Sequence, residues 1–232
     1  VQSGDLLEFI RKIVERGEPS KSIDPDVTAY RSPGGALRIC VLVGGKQVVS
    51  AYPEVQGGPV WPITVTELVP WANGIEGQVT GVCMDAQVSF FDTCFYAHHQ
   101  QYIVGETYNF SMGALAYRVT RADDLEAETG SGDAAMKVSL RGACAYMPAS
   151  MGNEEADIDD YWFHSPLEEM PGEASLDGRK LQVYPITIAV PGDFEMRVPL
   201  YAAEHSLAPD MAGIAVEEDL SGFLWLQGRL VE

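Results

Sequence analysis

Hydrophobic positions recur along this chain with two different periods, and the switch between them divides it. Over residues 5–16, Leu6, Phe9, Ile10, Ile13 and Val14 fall three or four apart, which places them on one face of an α-helix. Arg11, Lys12 and Glu15 take the opposite face. Asp5 followed by Glu8 makes a capping-box-like start, and Gly17 with Pro19 beyond it supplies the stop. The apolar stripe is expected to pack on the rest of the protein; offering it to a partner is the alternative. Residues 17–35 read as a polar, proline-containing connection.

From residue 36 the period is two. Leu37, Ile39, Val41 and Val43 alternate with Arg38, Cys40 and Leu42, and after Gly44-Gly45 a second run covers Lys46–Ala51. This predicts a hairpin over 36–52, closed by a two-residue turn with positive φ at both positions. Pro53, Gly57, Gly58, Pro59 and Pro62 make 52–62 a loop and a possible subdomain seam. Strands follow at Ile63–Val69, at Ile75–Val82 after an Asn73-Gly74 turn, and at Val88–Phe91. One or two more lie within 106–120. Arg121–Ala134 reads as an exposed acidic loop with one helical turn at 122–128, and Met136–Leu140 alternates as a strand. Residues 149–160 form a second acidic loop, and Tyr161–Phe163 begins a strand. The strongest hairpin pairs 183–190 with 194–200 around Pro191-Gly192-Asp193, with Phe194, Met196, Val198 and Leu200 on one face. Gly222–Val231 is the last strand. Many strands with short turns and no strand–helix alternation predict a mainly β protein, an antiparallel barrel or sandwich. The chain is read as one domain, 1–232: helix 1–17, hairpin 36–52, and a core over 60–232 that carries the acidic loops 121–134 and 149–160.

Charge narrows the partners. Asp and Glu number 34 against 15 Lys and Arg, a net of −19 in 232 residues. Affinity for nucleic acid comes mainly from cations that neutralise phosphates, and an anionic surface also repels anionic membranes. Between Lys46 and Arg118 there is no Lys or Arg at all, although Phe90, Phe91, Phe95, Tyr96, Tyr102, Tyr108 and Phe110 crowd that stretch. A single-strand groove needs a basic track beside its stacking aromatics. Nucleic acid is therefore not an expected partner, nor is a membrane, whereas a protein or small ligand is. Cys40, Cys83, Cys94 and Cys144 form no CxxC and match no zinc module, so they read as reduced thiols packed in or near the core of a cytoplasmic protein.

One set of motifs carries a family resemblance. Asn73-Gly74-Ile75-Glu76-Gly77-Gln78-Val79 leads to Phe90-Phe91-Asp92, then Tyr102, Gly105, Tyr108 and Phe110, then Leu115-Ala116-Tyr117, and finally Trp225-Leu226-Gln227-Gly228-Arg229-Leu230. Across about half the chain these resemble an uncharacterised bacterial family whose core is similar to an OB-type barrel. The resemblance implies a Greek-key, OB-like barrel of five coiled strands, with the hairpin and the N-terminal helix as additions. It transfers no catalytic residue.

Candidate chemistry is sparse. Asp92, His98 and His99, with Cys94 and Glu106 nearby, are the tightest cluster of ligand-capable or acid–base side chains. Adjacent histidines on a strand point to opposite faces and the HExxH spacing is missing, so no metal and no cofactor is expected. Asp92 also suits a simpler role, accepting backbone N–H groups at a turn. Ser111 and Ser150 lack the first glycine of a nucleophile elbow. Gly44-Gly45-Lys46 lacks the earlier glycine of a phosphate loop, and the loop at 153–160 lacks the glycine and terminal glutamate of an EF-hand. The first expectation is a non-enzymatic interaction module that uses Trp71, Phe91, Tyr96 and Tyr102. The alternative is a small-molecule enzyme using Asp92 with His98 or His99. A third reading makes the acidic loops a nucleic-acid mimic.

Overall fold

The computed structural model of the chain describes residues 3–122, 125–129, 136–153, 155–190 and 194–231. Helix α1 spans Ser3–Arg16. It buries Ile13 and stays tied by i,i+4 pairs, Lys12 to Glu8 at 2.9 Å and Arg11 to Glu15 at 2.7 Å. Four antiparallel strands follow in sheet order: β1 (Glu18–Lys21), β2 (Val27–Arg31), β3 (Leu37–Gly44) and β4 (Gln47–Val55). The first two lie in the stretch expected to be a connection. β2 is a strand because Val27, Ala29 and Arg31 alternate inward; an arginine at an inward position hid the period. The β3–β4 turn sits one residue later than Gly44-Gly45: Gly45 and Lys46 carry the positive φ values, 56° and 71°.

The seam expected at 52–62 shrinks to residues 56–59, because β4 runs on to Val55 and β5 begins at Val60. β5 (Val60–Pro70), β6 (Gly77–Cys83) and β7 (Ala86–Asp92) form a meander. Asn73 Oδ1 accepts the amides of Ile75 and Glu76 at 3.1 Å, so β6 starts two residues after Ile75. After β7 comes the short helix α2 (Phe95–His98), then a single fifteen-residue strand β8 (Thr107–Arg121). Where an exposed loop with a helical turn at 122–128 was expected, β9 (Glu126–Thr129) pairs with β10 (Met136–Ser139). Part of that expectation, at 123–124 and 130–134, lies outside the described residues.

β11 (Ala145–Pro148) and β12 (Asp160–Pro166) flank the acidic loop. β13 (Gly172–Leu176) and β14 (Arg179–Ala189) form a hairpin with positive φ at Asp177 and Gly178. β14 pairs antiparallel with β15 (Met196–Ala203), as the alternation predicts; the expected turn at 191–193 lies outside the described residues. β16 (Asp219–Leu230) closes the chain. Among the described residues no helix is long and apolar enough to cross a membrane.

Ten strands make one mixed sheet in the order β11-β12-β16-β7-β6-β5-β8-β15-β14-β13. It is partly closed into a ring, because β16 also pairs with β8. β5, β6 and β7 pair antiparallel, β7 meets β16 in parallel, β16 meets β8 antiparallel, and β8 returns to β5. The two long strands serve both parts of the sheet. Gln227 and Gly228 of β16 join the ring through β7, while Asp219–Trp225 pair with β12. Inside lies the main core, with Ile63, Val79, Phe90, Phe110, Met112 and Leu226 all 1 % exposed or less.

The small sheet docks on the outside of this ring. Val27, Ala29, Cys40, Leu42 and Tyr52 pack against Phe91, Tyr96 and Ile75. The Gln227 side chain imitates a strand partner for β4: Val55 N–H donates to its Oε1 at 3.0 Å, and its Nε2 donates to the Pro53 carbonyl at 2.9 Å.

At Gly222, β16 leaves no room for a side chain beside β8. A Cβ there would lie 1.9 Å from the Arg118 carbonyl oxygen and 3.1 Å from the Phe163 ring. Backbone in a paired strand cannot yield that distance, so Gly222→Ala is expected to lower unfolding free energy by about 3 kcal/mol. Gly35→Ala, where a Cβ meets nothing within 4 Å, should change it by less than ~0.5 kcal/mol. Urea titrations of the two variants check the contrast.

Candidate functional site

The side chains that the sequence singles out are mostly interior. Phe91 is 0 %, Tyr96 1 %, Tyr102 7 % and Asp92 1 % exposed. Phe91 lies against Tyr52, Trp71 and Trp225, with ring centroids 5.0, 5.2 and 5.1 Å away. These aromatics pack edge-on or tilted against one another, and Trp71 alone of the four proposed contact residues keeps partial exposure. Tyr96 faces a buried ion pair. Its hydroxyl accepts from Arg31, whose Nε donates to Glu54 at 2.7 Å. Burial, reinforced by the charge of Glu54, pushes the Cys94 thiol beside it up to about 12. Burial thus favours the neutral thiol over the nucleophilic thiolate.

Asp92 takes the turn role. Its Oδ1 accepts the Cys94 amide at 3.0 Å just ahead of α2, and its Oδ2 accepts the Tyr102 hydroxyl at 2.7 Å. Burial raises its pKa to about 6 against the effect of those two bonds. His99 turns away to the Phe95 carbonyl, 2.8 Å from its Nδ1, and stacks on the Phe95 ring. His98 lines a groove of about 430 Å³ together with Gln56, Val60, Ser111, Arg229 and Leu230. Among the described residues no group of three or more His, Cys, Asp or Glu is placed to hold a metal ion.

A surface that sequence reasoning missed lies further along β16, on the face that also carries Trp225. Met147 of β11 pairs with Trp162 of β12, Trp162 with Phe223 of β16, and Phe223 with Arg118 of β8. Neighbouring strands lie ~4.8 Å apart, so this register sets the side chains in one row across four strands. Met147 is 42 % and Phe223 45 % exposed. The register of β8 against β16 slips by one residue here, leaving Tyr117 unpaired between Ala116 and Arg118. Such a bulge re-aims side chains. Tyr117 and Arg118 both face solvent, and the Tyr117 hydroxyl donates to Asp160 Oδ1 at 2.9 Å.

Two hollows meet at Phe223. One of about 270 Å³ is apolar, walled by Met147, Pro148, Trp162 and Phe223. The other, of about 490 Å³, is lined by Tyr117, Arg118, Glu155, Asp160 and Phe223. Behind them, Asp159 accepts from Gln78 Nε2 and Trp225 Nε1, each at 2.7 Å. It is buried in a loop that reads from sequence as solvated. Only the cross-strand register brings Met147, Trp162 and Phe223 together; no local motif announces them. The chain matches no protein-family model, no curated protein and no solved structure.

Proposed function

We propose that the protein is a non-enzymatic binding module, an OB-type barrel with additions, that holds a segment of a protein partner at the hollows around Phe223. The barrel reading is supported by the strand circuit, with its three-strand meander, its single parallel closure and a short helix between β7 and β8. OB barrels take ligands on the face of their second and third strands. Here those are β6 and β7, and that face is filled from within: Tyr52 and Trp71 cover Phe91, Asp159 takes Gln78, and Tyr161 takes the Ser89 amide. The single observation that carries the binding site is the exposed cross-strand row Met147–Trp162–Phe223.

The chemistry of the partner follows from the walls. The larger hollow sets the rings of Tyr117 and Phe223 beside the carboxylates of Glu155 and Asp160, with the one guanidinium of Arg118 in the same wall; two carboxylates against one cation suit a lysine or arginine by charge, and the rings by cation–π attraction. The apolar hollow next to it takes a neighbouring aliphatic or aromatic side chain. The occupant is a basic segment flanked by apolar residues, drawn in by a net charge of −19.

Display of a random peptide library on the purified protein tests this. Selected peptides should carry Lys or Arg next to apolar residues and bind more weakly as salt rises. Phe223→Ser should weaken them roughly thirtyfold or more, the size of an aromatic hot spot. Because Phe223 is half-exposed, the substitution should leave the fold in place. Enrichment of acidic peptides, or peptides that bind Phe223→Ser equally well, would remove the reading.

A further inference from the structure

The groove at Arg229 has an independent use. Across β5, β8 and β16, Val60 pairs with Ser111 and Ser111 pairs with Arg229, which sets the three in a row at the end of the ring away from Phe223. Gln56, from the link between β4 and β5, reaches the same place, and Arg229 Nη1 donates to its Oε1 at 2.9 Å. Arg229 is half-buried. Among the described residues no carboxylate lies within ion-pair distance of it, in a chain with more than two acids for each base. The hydrogen bond to Gln56 holds one edge of the guanidinium, so its other N–H donors are held in a fixed place. Ser111 Oγ donates to the Gly58 carbonyl at 3.2 Å, a long bond that a better acceptor can replace. Among the described residues the Gln56 amide nitrogen finds no acceptor. Val60, Leu230 and Val231 supply apolar wall.

We propose that this groove binds a small organic monocarboxylate, with its carboxylate on the Arg229 guanidinium and the Ser111 hydroxyl and its carbon body against Val60 and Leu230. A planar guanidinium matches a carboxylate edge to edge. Arg229 feels Asp92 without pairing with it, so the groove suits a single further negative charge. A phosphate dianion would bring a second charge into the field of Asp92, which lies close enough to Arg229 for the two to interact, and into that of the whole acidic molecule.

Titration of the full chain with butyrate, followed by ¹⁵N NMR, is the test. Saturable shifts are expected at the Arg229 Nε–H and at the amides of Ser111 and Leu230. n-Butanol, of similar size and uncharged, should give none. Arg229→Gln should weaken butyrate roughly tenfold or more, the worth of a charge-assisted hydrogen bond. Val60→Phe, at a position 48 % exposed, fills the groove without touching Arg229 and should abolish binding in a folded protein. Absence of saturation, saturation unchanged in Val60→Phe, or tighter binding of inorganic phosphate than of butyrate would each overturn the assignment.

Discussion

Glu54→Ala is expected to cost about 3–5 kcal/mol of folding stability, the penalty for leaving a buried charge alone. The charge is that of Arg31, whose side chain is 11 % exposed, with Glu54 at 0 %. Arg31 stands on β2 and reaches three other places. Its Nε donates to Glu54 on β4, its Nη1 donates to Ser20 Oγ on β1 at 2.7 Å, and its Nη2 donates to the Tyr96 hydroxyl on α2. Burial pulls the guanidinium's pKa down. The charge and hydrogen bond of Glu54 more than offset it, so the net direction is upward and Arg31 stays ionised. Without Glu54 the cation remains, since arginine does not deprotonate in a protein. Its desolvation is then offset only by the neutral acceptors Ser20 and Tyr96, with no counter-charge. The double variant Arg31→Met with Glu54→Leu removes both charges and should be less damaging than Glu54→Ala alone. Urea titrations of wild type, both singles and the double measure this directly. A Glu54→Ala loss below ~1 kcal/mol would mean that water reaches Arg31 and that the small sheet is not sealed onto the ring.

That ion pair also marks where the sequence stops being legible. Period-two alternation finds β3, β14, β15 and β16, because their inward residues are apolar and their turns carry Gly or Pro. It misses β2, since Arg31 occupies an inward position and is neutralised by Glu54, twenty-three residues away. It misses β9, four residues of Glu-Ala-Glu-Thr with no apolar face, which exists by pairing with β10. The β3–β4 turn slips by one because Lys46 takes the left-handed position, φ 71°, that the sequence offers first to Gly44. The same limit governs the site. Phe91, Tyr96 and Tyr102 are conspicuous as a cluster, yet an aromatic run signals burial as readily as recognition. Here the docked small sheet decides for burial. Met147, Trp162 and Phe223 lie far apart in sequence, and only the register of three strand pairs aligns them. Asp92 shows a case where local chemistry suffices: an aspartate two residues ahead of an amide it accepts is an Asx turn in either reading.

Stability should rise, not fall, as the pH is lowered from 7.5 toward 4.5. Asp92 and Asp159 are the reason. Burial raises each to about 6, Asp92 despite the bonds from Tyr102 and Cys94, Asp159 despite those from Trp225 and Gln78. In the unfolded chain an aspartate titrates near ~3.9. Between those values the folded protein holds protons that the unfolded chain has released. Stability therefore declines as the pH rises through the interval and levels off above about 6. Two units per group set an upper limit of roughly 3 kcal/mol each. Acid also relieves the mutual repulsion of a −19 chain, which acts in the same direction. Asp92→Asn separates the local effect from the global one. The amide keeps an acceptor for the Cys94 N–H and presents a donor to Tyr102, whose hydroxyl is free to reverse. The variant should match or exceed wild type at pH 7.5, by up to about 3 kcal/mol, and should show a shallower slope between pH 4.5 and 7. Unfolding free energies from urea titrations across that range give both numbers. If wild-type stability instead climbs with pH, or if Asp92→Asn leaves the slope untouched, then Asp92 is ionised in the folded protein with an ordinary carboxylate pKa. In that case the Tyr102 and Cys94 bonds, and not burial, govern it.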